Sequence, residues 1–148
     1  MLRRVFSFFV LSLLFVNIAS SRMPTPSFEL DVDLKKDEVI RANIIARKDS
    51  QDDGNEAKQF TLRWTLYRNE GLVLLVRYDN YPYQFILYKQ YMLNAWRLNL
   101  LDTQGVYNTI NQPYLTIYFV GIDNPFNDEK TVAHLKIYGF GEVNFSRE

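Results

Sequence analysis

FTLRWTLYRNEGLVLLVRY, residues 60–78, decides the fold class. Phe60, Leu62, Trp64 and Leu66 alternate with Thr61, Arg63, Thr65 and Tyr67, the period of two that marks a strand with one face buried. Asn69-Glu70-Gly71 breaks the pattern with turn residues, and a second strand rich in Leu and Val follows. The spacing predicts a three-residue hairpin loop with Gly71 supplying the positive φ. In that register Leu66 faces Leu74, Trp64 faces Val76 and Leu62 faces Tyr78, so the apolar residues share one side. Arg63 then stands opposite Arg77 on the other side, and Tyr67 stands beside Val73. Like charges directly opposed are unfavourable in a sheet. Leu72, Leu74 and Val76 already serve the core, so Val73 and Leu75 make this strand apolar on both faces.

The same period recurs on either side. In residues 27–34, Phe28, Leu30, Val32 and Leu34 alternate with Glu29, Asp31 and Asp33. Residues 39–47 put Ile40, Ala42, Ile44 and Ala46 on one face. A hairpin between these two strands keeps apolar faces together with Arg41 opposite Asp31 or Asp33, which also relieves the row of acids. Residues 48–59 form a polar loop. Residues 83–101 contain no Gly or Pro, and 19 residues are too many for one strand. Tyr83, Phe85 and Leu87 alternate, as do Trp96, Leu98 and Leu100, whereas Tyr88, Tyr91, Met92, Ala95 and Trp96 also fit a helical face. Two strands joined by a turn or short helix around residues 90–95 are expected, and whether residues 90–101 are helix or strand stays open. Beyond a loop at 102–113, strands are expected at 114–121 (burying Leu115, Ile117 and Phe119), 131–138 (burying Ala133, Leu135 and Ile137) and 142–145.

Eight or nine short strands with at most one short helix fit an antiparallel β-sandwich, with a closed β-barrel as the alternative. The predicted core joins Leu62, Trp64, Leu74 and Val76 to Phe28, Leu30, Ile117 and Leu135. Alternation fails over residues 72–76, which argues against an outer-membrane barrel.

The first 21 residues read as a secretory signal peptide. Arg3 and Arg4 supply the positive start, residues 5–16 are the apolar segment, and Ala19-Ser20-Ser21 offers a cleavage site after Ser21. The apolar segment is shorter than the ~20 residues a membrane span needs. Cleavage leaves residues 22–148 as one domain with no transmembrane span. Of 17 basic residues, 15 remain against 17 acidic ones, a net charge of −2. Such a balance gives no field for nucleic acid. There are no cysteines, so disulfides and thiolate chemistry are excluded, and one histidine excludes a multi-histidine metal site within the chain. A small exported domain without disulfides suits a bacterial periplasm or surface, where the sequon at Asn144 has no meaning.

Candidate chemistry is sparse. Asp49, Asp52, Asp53 and Glu56 could feed a calcium site, but Gln51 and Phe60 stand where an EF-hand needs acids, so a solvated loop is expected. Residues 123–129 read as a turn built on Pro125 and its Asn and Asp neighbours. His134 points outward across from Tyr118, and no Gly-x-Ser-x-Gly elbow occurs. Tyr78, Tyr81, Tyr83, Phe85, Tyr88, Tyr91 and Trp96 fall within 19 positions and are read as packing. No catalytic residue, metal or cofactor is assigned. Arg63, Tyr67, Val73, Leu75 and Arg77 form the candidate partner-binding patch, unless residues 90–101 cover that face. The function expected is a non-enzymatic periplasmic or secreted sandwich that binds another envelope or surface protein, alone or within a larger assembly. A soluble carrier or sensor of a small hydrophobic or sugar ligand, held between aromatic-lined sheets, is the alternative.

Overall fold

The computed structural model describes residues 24–47, 56–90, 92–101, 112–127 and 129–148. Residues 1–21, read above as a signal peptide, and most of the acidic loop lie outside them. Nine strands are present among the described residues: β1 Phe28–Lys35, β2 Ile40–Arg47, β3 Lys58–Arg68, β4 Gly71–Tyr78, β5 Tyr81–Tyr88, β6 Ala95–Asn99, β7 Tyr114–Asp123, β8 Val132–Phe140 and β9 Glu142–Arg147. No helix occurs among the described residues. The strands form two open antiparallel sheets, ordered β1-β8-β7-β6 and β5-β4-β3-β2-β9, so the molecule is a sandwich and not a closed barrel. Among the described residues no helix is long and apolar enough to cross a membrane.

The core lies between the sheets. Phe60, Leu62, Trp64, Leu72, Leu74 and Val76 of the five-stranded sheet meet Val32, Leu34, Leu115, Ile117, Phe119 and Leu135 of the four-stranded one, all at most 2% exposed. Phe28 and Leu30 are only partly buried and pack against this cluster from the β1 edge. Within the segment left open between helix and strand, residues 92–93 form a turn and Ala95–Asn99 form β6, which pairs with β7. Trp96 stacks on Phe85 at 4.0 Å, and Tyr78 and Tyr83 also pack into the core, whereas Tyr81 and Tyr88 are exposed and Tyr91 lies outside the described residues.

Two expected features are corrected. First, β1 and β2 form no hairpin: β1 pairs with β8, and β2 pairs with β3 and β9. The turn after β1 carries the chain from one sheet to the other. Trp64 holds that crossing, because its indole Nε1 donates to the Leu34 carbonyl at 2.8 Å while its own carbonyl accepts from the Asp37 amide at 3.0 Å. Arg41 therefore faces Thr61, and the acids of β1 face β8.

Second, the β3–β4 loop has two residues. Arg68 pairs with Gly71, and Asn69 (φ 51°) and Glu70 (φ 63°) both take positive φ, as a type I′ turn requires. Gly71 is needed for space instead: a Cβ there would lie 2.9 Å from Ile86 Cγ2. The shorter loop is reconciled with the buried alternation by a bulge at Thr65, since Trp64 pairs with Leu74 while Leu66 pairs with Val73. One extra residue reverses the faces that follow it. Tyr67 turns inward onto Phe119, ring centroids 6.1 Å apart, and Leu66 turns outward. Arg63 consequently stands opposite Leu75, and Arg77 opposite Thr61.

Candidate functional site

The outer face of the five-stranded sheet is built by parity. Where Ile40, Leu62 and Val76 point inward, the residues beside them point out. Arg41, Thr61, Arg77 and Pro82 form one cross-strand row over β2, β3, β4 and β5. Arg63, Leu75 and Gln84 form the next. Beyond the bulge, Leu66, Val73 and Ile86 form a third. Leu66 and Ile86 are each 48% exposed, unusual for large apolar side chains on a sheet. Along the strands the face thus passes from two cationic rows to an apolar one, with exposed Arg68 opposite Gly71 beyond it. An open groove of about 590 Å³ runs over the cationic rows between Val39 and Gln84.

Four of the five residues expected in the patch come together here: Arg63, Val73, Leu75 and Arg77. Tyr67 does not, because the bulge turns it into the core. Arg41 and Leu66 are the members that the sequence does not reveal. Arg41 joins because β2 lies beside β3, and Leu66 because Thr65 is the extra residue. Neither β6 nor any other described strand covers this face, since β6 belongs to the opposite sheet.

Charge distinguishes the two outer faces. On the four-stranded sheet the acids of β1 are matched by β8. Lys136 Nζ lies 2.8 Å from Glu29 and 3.3 Å from Asp31, and Tyr138 donates to Glu29 at 3.1 Å. The bond from Lys136, helped by Tyr138, holds the Glu29 carboxyl below its ordinary value, and Glu29 with Asp31 holds the Lys136 ammonium above its own. His134 does not face Tyr118; a bulge at Val120 sets it opposite Gly121 and Asp33. Its Nδ1 lies 2.6 Å from Asp33 and its Nε2 3.2 Å from Asp123. No ion pair among the described residues reaches Arg41, Arg63 or Arg77.

The four-stranded sheet carries a second feature, an aromatic shelf. Tyr114 stacks on Phe140 at 4.7 Å, Tyr118 meets Tyr138 edge-on at 5.5 Å, and Arg97 lies 3.6 Å over the Tyr114 ring. Thr116 lies on this outward face yet is only 8% exposed, because the rings close around it. The outward parity of Tyr114, Tyr118 and Tyr138 is the sequence signal for the shelf. Beside it an open cleft of about 570 Å³ is lined by Tyr118, Tyr138, Phe140, Lys136, Pro24 and Pro26.

No group of three or more His, Asp or Glu side chains among the described residues is placed to hold a metal ion. Glu56 is exposed, and the other acids of its loop lie outside the described residues. Comparison with protein-family models, with curated proteins and with solved structures returns no match.

Proposed function

We propose that the protein is a non-enzymatic, exported β-sandwich of the bacterial envelope, periplasmic or secreted, that docks another envelope protein on the outer face of its five-stranded sheet. One observation carries this: Leu66, Val73, Leu75 and Ile86 stand beside exposed arginines on a face that no described strand covers. Arginine around a small apolar centre is the composition of interface hot spots. The N-terminal residues support export, with processing after Ser21. The docking test is Val73→Glu combined with Leu75→Lys. The variant should keep its sheet content and melting transition while a partner that co-purifies with the native protein from the envelope fraction is lost. Unfolding of the variant, or undiminished co-purification, defeats the proposal.

A second reading is favoured by the aromatic shelf. A sugar or other small apolar ligand would stack in the cleft beside Tyr118, Tyr138 and Phe140, with Lys136 at its polar edge. It would sit outside the sandwich, because Trp64, Phe60 and Phe119 fill the space between the sheets. A saturable rise in melting temperature with a simple glycan, removed by Tyr138→Ala, tests it.

A further inference from the structure

We propose that the docking face selects an acidic polypeptide segment, with carboxylates over Arg41, Arg63 and Arg77 and apolar side chains over Leu66, Val73 and Ile86. The inference rests on the docking reading above and adds the chemistry of the partner. Arg41 and Arg77 flank Thr61 in one cross-strand row, so their Cα atoms are two strand spacings apart, about 10 Å. Arg63 is two residues along β3 from Thr61, about 7 Å. The three exposed guanidinium groups therefore converge on one groove, and none has a carboxylate partner among the described residues.

Three like charges on one face repel, and carboxylates from outside relieve that repulsion while accepting paired N–H donors. Lys58, Lys136 and His134 have carboxylate partners; Arg41, Arg63 and Arg77 have none among the described residues and line the same groove. A polypeptide fits better than a polyanion because the apolar row of Val73 begins four residues from Arg77, about 13 Å along β4. A phosphate polymer has nothing to offer Leu66 and Ile86. The occupant thus carries both carboxylates and apolar side chains.

The test uses the purified protein and a dye-labelled synthetic peptide carrying a glutamate cluster followed by a leucine cluster. Binding should saturate, weaken as salt screens the pairs, and fall about tenfold or more in Arg41→Gln with Arg63→Gln and Arg77→Gln. Replacing the peptide's glutamates by lysines should cause the same loss on the unmodified protein, without any variant. Absence of saturable binding, or equal binding by the arginine-free variant, overturns the proposal. So does equally tight binding of inorganic polyphosphate, which would make the site a general anion site. A change in the protein's own sedimentation on removing the arginines also overturns it, because the occupant would be a second copy. If the arginine-free variant keeps the envelope partner while Val73→Glu with Leu75→Lys loses it, the docking face stands and the acidic chemistry falls.

Discussion

Trp64 shows how one side chain can set topology. It is 1% exposed, and its Nε1 donates to the Leu34 carbonyl across the two sheets. Trp64→Phe keeps most of the apolar volume but leaves that buried carbonyl unpartnered, a loss of about 1–3 kcal/mol. Trp64→Ala should cost about 3–5 kcal/mol. Urea midpoints separate the two terms, and a Trp64→Phe midpoint equal to the native one would show that the bond holds nothing. Burial of Trp64 is legible in its alternation; its bond to Leu34 is not, because the two residues are 30 positions apart. His134 is the other informative residue. A neutral imidazole has one N–H and one acceptor, so both contacts to acceptor-only carboxylates are satisfied only in the imidazolium. The bond to Asp33 raises its pKa above the ordinary value against some desolvation, and Asp123 adds to the rise. The folded pKa exceeds the unfolded one, so the contribution is complete below about pH 6.5 and fades as pH rises through the folded value. His134→Gln should therefore cost stability at about pH 5.5 and very little at about pH 9. The size is about 0.2–1 kcal/mol, since the group is partly exposed. A difference that does not vary with pH would sink this account.

The bulge in β3 is decided at the level of the element. Strict alternation places Leu66 in the core and Tyr67 outside, and the structure reverses both. The reversal yields an ordering that strict alternation does not. Tyr67→Ser should destabilise by roughly 2 kcal/mol, a core truncation reduced for partial exposure. Leu66→Ser should stay within about 0.5 kcal/mol. Melting curves of the two variants check the order, and a larger loss in Leu66→Ser would place the bulge elsewhere. Strand positions are legible because hydration selects the period of two residue by residue. Loop length was not, since Asn69-Glu70-Gly71 suits two-residue and three-residue turns alike. The loop length goes with the bulge at Thr65, which only the pairing of β3 with β4 reveals, while Ile86 of the next strand leaves no room for a Cβ at Gly71. The type I′ turn at Asp79-Asn80 (φ 49° and 67°) repeats the solution one hairpin later.

At the scale of the whole molecule, two sheets share one core and present unlike outer faces. On the four-stranded sheet the acids of β1 are paired with Lys136 and His134 of β8, whereas the five-stranded sheet presents Arg41, Arg63 and Arg77 beside apolar residues. Because the core is complete without them, Val73→Glu with Leu75→Lys should leave the melting temperature within a few degrees of native, a change of about 1 kcal/mol or less. A collapse of the transition would mean that this face contributes to the core after all. The alternating stretches determined by themselves that the chain is built of short antiparallel strands and, Leu66 and Tyr67 apart, which side of each central strand is buried, since each strand's pattern reports its own contact with water; the choice of sandwich over barrel was left to the structure. The outward placement of Arg63, Val73, Leu75 and Arg77 followed from the same local rule. Strand order, the crossing after β1, the bulges at Thr65 and Val120, and the convergence of Arg41 with Arg63 and Arg77 were decided only in the tertiary structure. Pairing partners lie far apart along the chain, and many pairings satisfy the same alternation. Only simultaneous packing of both sheets, with Trp64 bonded to Leu34 and Tyr67 against Phe119, selects one of them.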